Sequence, residues 1–315
     1  MDDGVLHRSA FASGANMTGH LIHIGYPKTG SNFLRRWFRA HPQLTYADGS
    51  IAGFLNVYEI VKTGAALPSN ARYRVTSAEG LATPQQSFGD TVADFDTPAP
   101  VPMDKAQAAA CRMLGDLFPN ATVLIVTRGF RAAILSMYSQ LARNGSNLEF
   151  GAFCASLERS IPMREDGWDY DHLIGLYVAA FGPANVIVLP YELLRDDANA
   201  FTNTLADRLG VEHFAGSHER VNPSLSPEEL YWYPRITRVV KSAVPRRLFR
   251  RYARAALNNN LRVPIRVLQR LRPGTPVTDA AIPHSLIDAF RGRADSLRDN
   301  PLYAQYASDY LFSSR

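Results

Sequence analysis

Residues 21–39, LIHIGYPKTGSNFLRRWFR, constrain this chain more than any other stretch. Leu21, Ile22 and Ile24 form a short apolar run of the length of a buried strand. Gly25, Pro27 and Gly30 punctuate a loop, and Phe33, Leu34, Trp37 and Phe38 follow at helical spacing. Ser31 or Thr29 is expected to cap that helix. A strand that empties through a glycine-containing loop into a helix turns several backbone N–H groups toward one point. The positive end of the helix dipole faces the same point, which suits a phosphate or sulfate. Lys28 lies inside the loop, and neighbouring hydroxyls complete the cradle.

The position of the lysine separates this loop from a Walker A loop, G-x-x-x-x-G-K-[ST]. Gly25 and Gly30 have the Walker separation, but Ser31 stands where the lysine belongs, and Lys28 precedes the second glycine by two residues. Residues 26–34, Y-P-K-T-G-S-N-F-L, instead resemble the 5′-phosphosulfate loop of sulfotransferases that use 3′-phosphoadenosine 5′-phosphosulfate (PAPS). Many of these read close to Y-P-K-S-G-T-T-W-L. The resemblance implies that Lys28, Thr29, Gly30, Ser31 and Asn32 hold the 5′ end of the nucleotide, and that Lys28 also serves catalysis.

A second landmark is ATVLIVTRGFRAAILSMYSQL, residues 121–141. The β-branched run Thr122–Thr127 reads as a central parallel strand and Phe130–Leu141 as a helix. Arg128 leaves the carboxyl end of the strand, and Ser136 follows about two helical turns later. This resembles the 3′-phosphate motif of the same family, in which guanidinium geometry suits a phosphate. Many members read Arg-Asp-Pro here, whereas this chain has Arg128-Gly129-Phe130. Further strands are expected at Tyr73–Ser77 and Asn185–Pro190, with helices at Lys105–Leu117, Phe150–Ile161, Asp169–Phe181 and Ala198–Leu209. Tyr191 and Glu192, after the last strand, read as a ring packed near the cleft and a carboxylate bracing the loop. Alternating strands and helices, with the anion loop at the first crossover, imply a P-loop-like α/β fold: a three-layer sandwich with a central parallel sheet. Arg220, in an Arg-x-Asn-x-Ser stretch often seen in bacterial members, is by resemblance a further contact on the 3′-phosphate side.

The charge is unevenly placed. The chain carries 34 Lys and Arg against 29 Asp and Glu, yet residues 235–315 alone are +11 and the remainder −6. Only four of the cations are lysines, and one of the four sits in the anion loop. The expected organisation is a disordered tail over 1–19, an α/β core over 20–235, and an Arg-rich helical part over 236–315 packed on the same domain. In that last part Val244, Leu248, Tyr252 and Leu257 are expected to share one helical face, and residues 299–311 to form a closing helix with Leu302, Tyr306 and Tyr310 inward. Its arginines read as a solvated face, an anionic membrane surface or a site for an acidic polymer; no stacking platform favours nucleic acid. No apolar run spans a bilayer, no secretory signal is visible, and Cys111 and Cys154 make neither a disulfide framework nor a metal set. A cytoplasmic protein, peripheral at most to the inner membrane surface, is expected.

The resemblance implies sulfuryl transfer from PAPS to an acceptor hydroxyl of a saccharide, lipid or small metabolite, with 3′-phosphoadenosine 5′-phosphate (PAP) as product and no metal. An acceptor hydroxyl needs a general base. The family's Lys-x-His pattern is absent; the strand YRVTS runs instead into Glu79, the first choice. Glu59 is second and His41 third. The alternatives are a P-loop kinase or nucleotide hydrolase, against which the displaced lysine counts, and a non-catalytic Arg-rich binding protein on a nucleotide fold.

Overall fold

The computed structural model describes residues 19–46, 70–84, 102–216, 225–245, 247–249, 251–252 and 262–312. Among them are five strands: β1 (Gly19–His23), β2 (Leu44–Tyr46), β3 (Tyr73–Ser77), β4 (Thr122–Thr127) and β5 (Val186–Pro190). They form one parallel sheet in the order β2-β3-β1-β4-β5. β1 is central, with Leu21 opposite Val75 of β3 on one side and Thr122 of β4 on the other. Every strand therefore ends at the same edge, where open parallel sheets bind ligands.

Alternation along the strands builds two cores. Ile22, Ile24, Val123 and Ile125 face one side, and Leu21, Val75, Leu124 and Val126 the other. Helix α1 (Ser31–Ala40) covers the second face with Leu34, Trp37 and Phe38, whose spacing puts them on one stripe. The first face takes α2 (Met103–Leu117), α3 (Phe130–Arg143), α4 (Phe150–Ser160) and α5 (Tyr170–Phe181). After β5 come the short α6 (Tyr191–Asp196) and α7 (Ala198–Leu209), which returns to the face of α1. Helices on both faces of a parallel sheet are the three-layer α/β arrangement the sequence implied.

Two local expectations change, the cap of α1 and the anticipated C-terminal face, and β2 is an element the sequence does not announce. Neither Thr29 nor Ser31 caps α1: Gly30 is the N-cap residue, at φ 86°, and no side chain bonds the first turn. β2 is a three-residue strand, too short for any alternation to be legible. α8 (Pro227–Ala243) opens with a capping box between Ser226 and Glu229. Val244 then ends the helix in an extended conformation and Pro245 follows, so the anticipated face is broken. Tyr252 turns inward to share a hydrogen bond with Thr237 (2.7 Å), while Leu248 is half exposed; Leu257 lies outside the described residues.

A helix α9 (Arg262–Leu271) packs on α8. The closing segment is a 3₁₀ helix, Pro301–Tyr306, joined to a single α-turn, Ala307–Tyr310. Three residues per turn bring Tyr303 and Tyr306 inward, with Tyr310, and leave Leu302 partly exposed. The anticipated tail lies, but for Gly19, outside the described residues.

Candidate active site

The loop 24–30 leaves the central strand beneath the N-terminus of α1. His23, fully buried, is hydrogen-bonded through Nδ1 to Ser77 Oγ (2.8 Å), tying the end of β1 to the end of β3. Burial, with Arg35 nearby, lowers its pKa to about 3, so the ring is neutral. A Cβ on Gly25 would lie 2.3 Å from His23 Nε2, which explains the glycine. Thr29 donates its hydroxyl to the carbonyl of Tyr26 (2.6 Å), pinning the turn from inside. Lys28 has φ 68° and Gly30 φ 86°, two left-handed residues on either side of Thr29. The first intrahelical bond runs from Leu34 N–H to the Gly30 carbonyl, so the leading amides of α1 lie ahead of it. Ser31 Oγ is buried without a hydrogen-bond partner, whereas Asn32 is exposed and accepts from Arg35.

The end of β4 meets this loop. Arg128 donates from Nη1 to the Lys28 carbonyl (2.6 Å), and its guanidinium lies 4.5 Å from the centroid of the Tyr191 ring. Its Nε is buried and unpartnered. Burial lowers the pKa of Arg128, opposed by Tyr191 and Glu192. Lys28 Nζ donates to Gln140 Oε1 (3.2 Å) on α3. Ser136 lies one turn before Gln140 on the same stripe, and its buried Oγ lacks a partner. Lys28 and Arg128, distant in sequence, thus meet at the carboxyl edge of the sheet, and Gln140, which Lys28 reaches, lies one turn beyond Ser136.

Three further groups hold the β4 turn. The Tyr170 hydroxyl donates to the Arg128 carbonyl (2.5 Å). Glu192, 1% exposed, accepts Gly129 N–H (3.0 Å) and the Tyr310 hydroxyl (2.5 Å). Thr127 Oγ1 shares a hydrogen bond with the Tyr303 hydroxyl (2.7 Å). The closing segment also explains the departure at 129–130. A Cβ on Gly129 would sit 2.6 Å from the Cβ of Asp309, and Phe130 stacks against Tyr170 and Phe290. The sequence singles out neither Tyr170 nor Gln140, and Tyr310 only as an inward residue of the closing segment; Gln140 carries a signal in its spacing of four from Ser136 on a helix.

Glu79 begins a 3₁₀ turn directly after β3, two residues beyond Ser77. The Ala78 N–H donates to the His23 carbonyl (2.9 Å), so the backbone sets this turn beside the loop that follows β1. His41 is at the opposite end of α1. Gln43 N–H donates to its Nδ1 (3.1 Å) and its Nε2 meets the Glu212 carbonyl (3.0 Å), so both ring nitrogens are engaged away from the loop. Glu59 and Arg220 lie outside the described residues. The cluster that is described brings amides, hydroxyls, an ammonium and a guanidinium together, groups that suit an anion.

A family model described as "Sulfotransferase family" matches residues 21–215, well over half of the chain. A crystal structure of a sulfotransferase from Alicyclobacillus acidocaldarius aligns with TM-score 0.46 and 17% identity, over 76% of this chain and 100% of that one. The crystal structure of mouse sulfotransferase SULT7A1 complexed with PAP aligns with TM-score 0.40 and 14% identity, over 94% of this chain and 90% of that one. No protein with a curated description matches the chain.

Proposed function

The chain belongs to the sulfotransferase family, and on that premise we propose that its donor is PAPS and its acceptor a hydroxyl of a saccharide, lipid or small metabolite. The supporting observation is the convergence of the Lys28 loop with Arg128 and Ser136. Three buried polar atoms there, Ser31 Oγ, Arg128 Nε and Ser136 Oγ, have no partner in the protein. Buried polar groups are nearly always satisfied, and phosphate oxygens would satisfy these.

When bound, PAPS supplies the sulfuryl group and, through its phosphates, the leaving group. In this reading the amides of Gly30, Ser31 and Asn32 hold the 5′-phosphate. Thr29 contributes its own N–H, because its hydroxyl is committed to Tyr26. Arg128, Ser136 and Arg220 take the 3′-phosphate, the group that separates PAPS from ATP. Lys28 and the positive end of α1 stabilise negative charge gathering on the leaving phosphate oxygen, a preorganised electrostatic effect. Glu79 takes the proton of the acceptor hydroxyl as its oxygen bonds to sulfur and the sulfur–phosphate oxygen bond breaks. In this reading the part over 236–315 works with the core, a reading supported by the hydrogen bonds of Tyr303 to Thr127 and of Tyr310 to Glu192.

The test is transfer of labelled sulfuryl from PAPS to a panel of hydroxyl acceptors. The wild type should transfer, Lys28→Ala should fall about 100-fold or more, and Glu79→Gln should lose transfer while still binding PAP. Phosphoryl transfer from ATP, or activity indifferent to Lys28, would overturn the reading.

A further inference from the structure

The sulfuryl-transfer site leaves the cationic C-terminal stretch without a role. Residues 235–272 contain twelve Lys and Arg and no Asp or Glu. We propose that the outer side of α8, the described residues 247–249 and 251–252 that follow it, and α9 form a docking surface for an anionic lipid bilayer.

Two independent features meet there. The first is charge. Arg235 and Arg238 pair with Glu149 of the core, while Lys241, Arg247, Arg251, Arg270 and Arg272 stand exposed. The second is aliphatic exposure. Eight large apolar side chains are exposed among the described residues, and four of them, Val239, Leu248, Val267 and Leu271, fall in this stretch. Leu271, the most exposed at 75%, lies between Arg270 and Arg272; Val239 follows Arg238, and Leu248 follows Arg247. The helices are held together from behind. Trp232 Nε1 donates to Gln269 Oε1 (2.5 Å), and Ile265 is buried, leaving Val267 and Leu271 for the outer side of α9.

This pattern discriminates between polyanions. A surface for single-stranded nucleic acid presents aromatic rings for stacking, and the duplex competitor in the experiment covers binding through phosphates alone. Here the aromatic rings are drawn in: Tyr252 shares a hydrogen bond with Thr237, and Phe249 packs on Tyr252 with centroids 5.9 Å apart. The aliphatic chains are the ones turned out. Aliphatic side chains set among cations match the headgroup–acyl boundary of an acidic bilayer, where the former enter the boundary and the latter meet the lipid phosphates.

The experiment is vesicle cosedimentation of the full chain, with phosphatidylcholine alone and with phosphatidylcholine doped with phosphatidylserine. Two variants accompany it. One removes charge (Lys241→Gln, Arg247→Gln, Arg251→Gln, Arg270→Gln, Arg272→Gln), and the other removes exposed apolar surface at constant charge (Val239→Ser, Val267→Ser, Leu271→Ser). The wild type should sediment with the acidic vesicles only, and less so as salt rises. The charge variant should lose about fivefold in partitioning per cation removed, and the serine variant should also weaken. Absence of binding to acidic vesicles overturns the proposal. So does a serine variant that binds them like the wild type, particularly if a duplex oligonucleotide displaces the chain from them. Titration with PAP on the same samples confirms folding and reads the donor site separately, so failure on either count leaves the other standing.

Discussion

Replacing Glu192 by leucine perturbs the brace behind the proposed 3′-phosphate site. The carboxylate is 1% exposed and accepts from Gly129 N–H (3.0 Å) and the Tyr310 hydroxyl (2.5 Å). Burial, first among several causes, holds the Tyr310 phenol well above its ordinary pKa, so it acts as a donor at all physiological pH. Leucine fills the volume but strands both donors. A buried donor without an acceptor costs about 1–3 kcal/mol, giving about 2–6 kcal/mol for the pair, a large part of a typical domain stability of about 5–15 kcal/mol. Glu192→Gln keeps an acceptor for Gly129 and should cost about 1 kcal/mol. Equilibrium unfolding in urea measures both. Tyr310→Phe closes a double-mutant cycle in which the coupling with Glu192→Leu should be about 1–2 kcal/mol. A Glu192→Leu loss under about 0.5 kcal/mol, or strict additivity with Tyr310→Phe, would refute the reasoning.

Other outcomes follow from the same geometry. Gly30→Ala places a Cβ 2.4 Å from Leu194 Cδ2 at a residue with φ 86°. It should destabilise by about 1–3 kcal/mol and weaken PAP binding, both visible in a thermal-shift titration. Ser136→Ala should lower affinity for PAP about tenfold, the worth of a hydrogen bond to a charged group, and leave 5′-AMP binding unchanged in competition assays. His23 is neutral in the fold, its pKa lowered to about 3 by burial. The unfolded chain, at about 6.5, then binds the extra proton. Stability attributable to His23 is therefore complete above about pH 6.5 and declines as pH falls toward 3, by up to about 1.4 kcal/mol per pH unit. His23→Gln should flatten that part of a stability–pH profile.

What could be read from the sequence was what local sequence decides. β1, the loop and α1 announce themselves within nineteen residues, and β4 within a single β-branched run. The Tyr191–Glu192 pair was legible because it directly follows β5, and its members do pack on Arg128 and accept from Gly129. The helix cap was misread because a hydroxyl near a helix start is a local signal, whereas Thr29 spends its hydroxyl on Tyr26 and leaves the N-cap position to glycine. The contacts that finish the cluster span long stretches of chain: Lys28 to Gln140, Arg128 to Tyr170, Glu192 to Tyr310. No periodicity encodes such pairings. In the closing segment Tyr306 and Tyr310 are inward as expected, but a 3₁₀ repeat buries Tyr303 where a 3.6-residue repeat selects Leu302.

The central claim is that the Lys28 loop and Arg128 together select a nucleotide carrying a 3′-phosphate. Isothermal titration with PAP, 5′-AMP and ATP, on wild type, Lys28→Ala and Arg128→Ala, addresses it directly. The account predicts that PAP binds most tightly, and that Arg128→Ala costs about 10–100-fold for PAP while barely affecting 5′-AMP. Lys28→Ala should weaken PAP and 5′-AMP alike. Binding of ATP as tight as that of PAP, or PAP affinity untouched in Arg128→Ala, would contradict it.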